Sequence, residues 1–180
     1  MSSNPFLNQI TNRNFLSPIG YQFTLQKKPK IDFFCNSANI PGINLGVAMQ
    51  PTPLKALPVP GETLTFEDFS IRFVVDEDME NYLEVWNWLC QFGFPYSFEQ
   101  YQELLNEDER NPRRQTAISG MSDGTLIIYN SNYVPNIKVE FKDLFPISLS
   151  SIQFDSTLTD IRYATAEVVF KYTIYDIIKI

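Results

Sequence analysis

The stretch Ala38–Gly61, ANIPGINLGVAMQPTPLKALPVPG, restricts the fold of this chain more than any other, because it holds five prolines and a single charged residue, Lys55. Each proline fixes its own φ and removes a backbone donor. A segment carrying Pro41, Pro51, Pro53, Pro58 and Pro60 therefore reads as a stiff loop rather than a helix or a central strand. Flexible linkers are rich in Gly and Ser or charged, and disordered segments are poor in apolar side chains. This one instead carries Ile40, Ile43, Leu45, Val47, Met49, Leu54, Leu57 and Val59. Loops longer than about 12 to 15 residues without secondary structure are uncommon in a compact domain and are usually functional or disordered. Two readings stay open on composition: an Ω-like cover folded over its own core, or an apolar surface that docks on a partner subunit.

Other residue types exclude whole classes of chemistry. There is no histidine, and the two cysteines, Cys35 and Cys90, have no metal-binding spacing, so neither a zinc site nor any other metal or cofactor is expected. Cys35 falls in an expected strand and Cys90 in an expected helix, which suits two buried free thiols in a reduced compartment. General acid–base work would fall to carboxylates, and no Gly-rich phosphate loop or nucleophile motif is present. The chain does not read as an enzyme. A net charge of −7 opposes a surface that grips nucleic acid, which needs a basic patch. The N-terminus, MSSNPFLNQITNRNF, lacks an apolar signal core, and no apolar run reaches the roughly 18 residues of a membrane span. A cytoplasmic product without membrane insertion is expected.

Along the chain, residues 1–20 are Asn-, Ser- and Thr-rich with scattered apolar residues and read as an arm, and residues 21–180 as one domain, a length that suits a single core. Tyr21, Phe23 and Leu25 alternate with polar residues as in a half-buried strand, and Ile31–Asn36 is expected to pair with it as a hairpin. Leu64–Val75 reads as a strand with Phe69, Ile71, Phe73 and Val75 on one face. The run DEDMENYLEVWNWLCQFG predicts a helix whose buried stripe is Tyr82, Val85, Trp86, Leu89 and Cys90. Asp76, Glu77, Asp78 and Glu80 suit its positive end, and Gly93 its stop; a metal-binding role for these carboxylates finds no further ligands. Trp88 falls near the polar arc and is expected to cover a neighbouring loop or subunit. Residues 94–118 read as an insertion, a short helix with Ser97 and Gln100 at capping-box spacing, followed by a charged connection in which Arg110, Arg113 and Arg114 balance Glu107, Asp108 and Glu109.

The C-terminal third reads as strand throughout. Thr125–Tyr129 follows an expected Asp123-Gly124 turn, Ile137, Val139 and Phe141 alternate with Lys138 and Glu140, and Ile152 and Phe154 mark a further strand. From Thr165 to Tyr175, Ala166, Val168, Phe170, Tyr172 and Ile174 form one face, and Thr165, Glu167, Val169, Lys171 and Thr173 the other. Such a strand at a sheet edge is an aggregation hazard unless a neighbouring subunit pairs with or covers it. The fold class is mainly β with one main α-helix.

Four motifs in order resemble one family. They are FFCNSANIPG, then PGETLTFEDFSIRFVVDEDMENYLEVWNWL, then KDLFPISLSSIQFDS, then AEVVFKYTIYDI, and together they are similar to the tail tube proteins of contractile-tailed bacteriophages, related in fold to type VI secretion tube proteins. The resemblance implies an antiparallel two-sheet β-barrel or sandwich with a flanking helix and a long Pro-rich loop, and hexameric rings stacked into a tube that forms a channel for DNA ejection. It further implies a sheath protein outside, baseplate and terminator proteins at the ends, and genomic DNA passing through the lumen without specific binding. Localisation would be the virion tail, assembled in the host cytoplasm. The inter-ring and inter-subunit contacts would then fall to Ile40, Pro41, Ile43, Leu45, Val47, Met49, Leu54, Leu57 and Trp88, and the lumen-facing positions to Glu167, Lys171 and Thr173. A baseplate initiator or terminal ring of the same fold remains an alternative, as does a monomeric β-domain that binds a peptide or glycan.

Overall fold

The computed structural model describes residues 14–26, 35–93, 97–99, 102, 120–157 and 163–180. In chain order the elements are β1 (Tyr21–Leu25), β2 (Cys35–Ala38), β3 (Ile43–Gln50), β4 (Leu57–Phe66), β5 (Phe69–Val74), α1 (Glu80–Gly93), β6 (Ser122–Tyr129), β7 (Pro135–Leu149), β8 (Thr165–Lys171) and β9 (Ile174–Lys179). Seven strands join in the order β1-β6-β7-β8-β5-β2, with β9 pairing off this path on β7, and β3 and β4 form a separate two-stranded sheet. All pairings are antiparallel.

Strand β7 makes this path into two layers. Its first half pairs with β6 on one side and β9 on the other, from Ile137 to Lys142, and its second half pairs with β8 from Phe145 to Leu149. Asp143 separates the halves with φ at 57°, a left-handed conformation that Asp tolerates better than most residues, and its N–H donates to Asp123 Oδ1 at 3.2 Å. At the same level Gly124 makes room for Leu144: a Cβ on Gly124 would stand 2.3 Å from Leu144 Cδ1. The two layers close on an aromatic core. Phe69 of the β5–β8 layer stacks on Phe141 of the β6–β7 layer at 4.4 Å, with Phe23 at 5.2 Å and Phe170 at 6.0 Å from Phe69. Burying each such ring contributes about 1.5 to 3 kcal/mol, and the alternation of β5, β6 and β8 places Phe69, Ile71, Phe73, Leu126, Ile128, Ala166, Val168 and Phe170 in this core.

Several sequence expectations change here. The Pro-rich stretch is a β-hairpin rather than a loop without secondary structure. Proline lacks the donor that a central strand needs, and a hairpin with no third strand among the described residues has outer edges on which that loss costs nothing. It is no Ω-cover either, because every residue of β3 is exposed. Leu64–Val75 is two strands, broken at Glu67 and Asp68. Strand β1 pairs with β6; of the expected strand 31–36 only Cys35 and Asn36 are described, in β2 against β5, so the expected hairpin with β1 lies outside the described residues. Asp123 and Gly124 lie inside β6 rather than in a turn, and β7 runs on through Leu144–Pro146. Ile152 and Phe154 lie outside any strand, and Phe154 is exposed. Neither cysteine is in a disulfide, and both are only half-buried. The arm to residue 13 and most of the insertion lie outside the described residues.

The helix is turned slightly from its expected setting: Val85 is buried and Tyr82 and Leu89 pack against the core as expected, but Trp86 does not. Its buried residues are Asn81, Val85 and Trp88, whereas Trp86 is 40% exposed and Trp88 only 1%. Two polar bonds explain this. Asn81 Nδ2 donates to Val74 O at 2.8 Å and fixes the start of the helix against the end of β5, and Trp88 Nε1 donates to Gly120 O at 2.9 Å while its ring lies 6.0 Å from Phe170. Trp88 therefore leaves the partner-facing set and belongs to the subunit core. The helix begins at Glu80, so Asp76, Glu77 and Asp78 form the turn before it.

Candidate assembly surface: an apolar hairpin and a paired-charge sheet face

Register decides what the β3–β4 hairpin presents. Residues directly opposite in an antiparallel pair share a face, and Ile43 lies opposite Phe66, Leu45 opposite Leu64, Val47 opposite Pro60 and Met49 opposite Pro58. One face is therefore apolar from root to tip. The other carries Asn44 opposite Thr65, Ala48 opposite Val59 and Gln50 opposite Leu57. On the apolar face Ile43, Leu45, Leu64, Val47 and Met49 are all more than half exposed. An isolated two-stranded hairpin is marginal in water, which makes this open apolar face a candidate docking surface.

The hairpin is stiff at its tip and at a bulge, and anchored at its root. At the tip, Thr52 Oγ1 donates to Lys55 O and accepts from Lys55 N at 3.2 Å, a local side-chain turn that leaves Leu54 98% exposed. Between Leu45 and Val47 the register shifts, and a Cβ on Gly61 would stand 2.5 Å from Gly46 O, so two glycines let the strands cross closely at the bulge. At the root, Tyr175 Oη donates to Pro41 O at 2.9 Å and Tyr172 Oη to Glu67 O at 2.8 Å. The Phe66 ring packs between these tyrosines, 5.8 Å from Tyr175 and 6.3 Å from Tyr172. Burial, followed by the charges of Tyr175, Asp68 and Glu67, raises the Tyr172 hydroxyl to about 12, so it stays a donor at ordinary pH. Pro41 is itself buried, which makes it a root anchor and not a partner contact.

Among the expected contact residues, the structure brings Ile43, Leu45, Val47 and Met49 together on the apolar face, sets Leu54 at the tip, and puts Leu57 on the opposite face beside Gln50. Ile40 lies before the hairpin and is 44% exposed. Leu64 and Phe66, absent from that set, complete the face. Their signal was alternation in LTF, but without the register nothing aligned them with Leu45 and Ile43.

The closing strand is also two strands. Strand β8 ends at Lys171 and β9 starts at Ile174, so the facing alternates up to Tyr172, which packs against the core, with Tyr175 rather than Ile174 turned inward beyond the break. On the outer face of β8 and β5, Glu167 meets Arg72 at 3.3 Å, and Lys171 pairs with Asp68. Thr173 sits at the break, its N–H donating to Lys142 O at 3.0 Å. The outer face of the other layer repeats the pattern, with Lys138 paired to Glu140 and Lys142 to Asp176 at 3.7 Å. These pairs are exposed and worth at most about 1 kcal/mol each; their effect is to leave the sheet faces polar without a net basic patch. Among the described residues no group of His, Cys, Asp or Glu could hold a metal ion, and no helix is long and apolar enough to cross a membrane.

Comparison with known proteins covers nearly the whole length of the chain. The profile of the phage tail tube protein family matches residues 3–178. No curated protein matches the chain. Among solved structures, a chain of the anti-feeding prophage cap, a tube-terminating cap, superposes with a TM-score of 0.61 at 15% identity, covering 99% of this chain and 100% of that one. A chain of the sheath–tube complex of an extracellular contractile injection system in its extended state superposes with a TM-score of 0.59 at 14% identity, again over 99% and 100%. A chain of the sheath and tube terminator of such a system gives 0.57 at 15% identity, over 92% and 99%.

Proposed function

Because the chain belongs to the phage tail tube protein family, we propose that it forms hexameric rings that stack into the inner tube of a contractile tail, with a sheath outside and a channel through which genomic DNA is ejected. The observation that carries this is the hairpin: an apolar face open from root to tip, held out by two tyrosine hydroxyls and stiffened by proline. A preorganised surface loses little entropy on docking, which matters for an interface repeated at every ring. The polar outer face of β5 and β8, with Glu167, Lys171 and Thr173, is assigned to the channel. Its cations are matched by carboxylates, so passing phosphates meet no free basic row.

Negative-stain images of the concentrated protein test this reading. Rings or hollow tubes are expected, and Ile43→Asp is expected to remove them while the near-ultraviolet circular dichroism of the subunit stays unchanged, because a carboxylate buried unpaired at an interface costs several kcal/mol. A protein that stays monomeric at every concentration, with or without a preformed baseplate, would overturn it.

A further inference from the structure

Among the described residues, four ion pairs mark the outer faces of the two layers, and one of them is built differently from the rest. Arg72 and Glu167 stand directly opposite each other in the β5–β8 ladder, and Lys138, Glu140, Lys142 and Asp176 all lie within β7 and β9. Lys171, by contrast, pairs with Asp68, which belongs to no strand: Glu67 and Asp68 join the end of the hairpin at Phe66 to the start of β5 at Phe69. This connection is held from both sides. Glu67 N donates to Gly42 O at 3.0 Å and its carboxylate accepts from Asn44 Nδ2 at 3.4 Å, so Glu67 is tied to the hairpin. Asn39 Nδ2 donates to Asp68 O at 3.2 Å while Asn39 Oδ1 accepts from Ser70 N at 2.7 Å, and Tyr172, next to Lys171 in the chain, donates to Glu67 O. Two consecutive carboxylates thus face two bodies, Glu67 the hairpin and Asp68 the sheet.

We propose that Asp68 is a positioning residue through which the hairpin sets how the outer face of β5 and β8 treats phosphate, a deepening that rests on the assignment of that face to the channel. The charges on this face are Arg72, Glu167, Lys171 and, reaching in from the connection, Asp68. Cations and carboxylates balance there, but the strand ladder fixes only the pair of Arg72 with Glu167. With the connection in place Lys171 is masked; a hairpin displaced at its root carries Asp68 away and leaves Lys171 open to phosphate. The coupling is reciprocal: an anion that takes Lys171 from Asp68 removes one tie from the hairpin root. Its size is bounded by the pair itself, which is exposed and shifts an equilibrium by about threefold. A subunit whose hairpin is held therefore presents a neutral lane, and one whose hairpin is loose presents a basic one.

Two readouts on the full-length chain test the assignment. One is the affinity and salt dependence of a short DNA duplex; the other is the distance distribution between spin labels at Leu54→Cys on the hairpin tip and Asn87→Cys on the exposed side of α1, in a Cys35→Ala, Cys90→Ser background. Asp68→Asn should tighten the duplex about threefold, steepen its salt dependence and broaden the distribution. Glu167→Gln removes the same charge from the same face and should tighten the duplex equally, with the distribution left as in the parent, because the ladder holds β5 on β8. Lys171→Gln should broaden the distribution as Asp68→Asn does, and the two together no further; additive broadening would overturn the proposal, since each would then act on the hairpin separately. Tyr172→Phe changes no charge yet should tighten the duplex about twofold by loosening the connection. Duplex affinity that responds to Glu167→Gln but not to Tyr172→Phe, or an Asp68→Asn distribution like the parent's, would sink the proposal and spare the channel reading. Affinity indifferent to every charge variant would instead remove phosphate from this face and end both.

Discussion

The sandwich and the hairpin are built from similar residues and differ in what covers them. In the sandwich, Phe69, Phe141 and Phe170 are essentially inaccessible and meet each other within 6.0 Å. In the hairpin, Ile43, Leu45, Val47 and Met49 alternate just as regularly, yet each is more than half exposed. Hydrophobic patterning therefore marks a surface that will be buried, not the partner that buries it. In one region the partner is the other half of the same chain; in the other the face is exposed in the single chain.

Substitutions should separate the two regions sharply. The largest effect on the fold is expected from Phe69→Ala, which removes the ring stacked on Phe141 and should lower stability by about 3 to 5 kcal/mol, read from urea unfolding followed by circular dichroism. Loss of tubes would follow only as a result of unfolding. Leu45→Asp should do the reverse: an unfolding midpoint like the parent's and no tubes in the electron microscope. A subunit that unfolds on Leu45→Asp would mean that the hairpin packs against its own domain.

Tyr175→Phe probes the joint between the regions. It keeps the ring between Phe66 and Phe141 but leaves the buried Pro41 carbonyl without its donor, at a cost of about 1 to 2 kcal/mol. Spin labels at the hairpin tip and on α1 should then report a broader distance distribution, and the critical concentration for tubes should rise. An unchanged distribution would show that the chain alone holds the hairpin in place.

Alkaline pH gives a smaller effect. Tyr21 and Tyr172 both titrate at about 12, chiefly because burial disfavours the phenolate, against an ordinary 10.0. A folded-state value above the unfolded one means that the folded protein holds the proton more tightly. Their contribution is complete below pH 10 and is lost as pH rises toward 12. Stability should fall over that window, and Tyr172→Phe should make the fall shallower; equal slopes would assign the alkaline loss to other groups.

Glu167→Lys is expected to change assembly least, since Glu167 and Arg72 pair at an exposed sheet face. It would set a lysine beside Arg72 and create a basic row on the face assigned to the channel. DNA release should slow at low salt and recover at high salt. Release independent of salt would move the channel to another face.

Much of this was legible before any fold was known, because alternation and helical periodicity are local properties. Phe69, Ile71 and Phe73, the core positions of β8 up to Phe170, and the presence of α1 all follow from spacing. The composition of 38–61, which suits neither linker nor disorder, also marked an apolar surface that asks for cover, while leaving an Ω-like cover over its own core as open as docking on a partner subunit. Spacing could not orient α1 fully: the expected stripe through Tyr82, Val85, Trp86, Leu89 and Cys90 and a second one through Asn81, Val85 and Trp88 share Val85 and satisfy the same 3.6-residue period. Only the distant acceptors Val74 O and Gly120 O chose the second. The hairpin was hidden for a related reason. Its prolines count against a strand within a sheet, and they are harmless because, among the described residues, no third strand pairs with β3 or β4. Strand partners, the break at Tyr172–Thr173 and the two tyrosine anchors depend on groups up to 134 residues apart in sequence. Local pattern states which side chains leave water, and tertiary pairing decides against what.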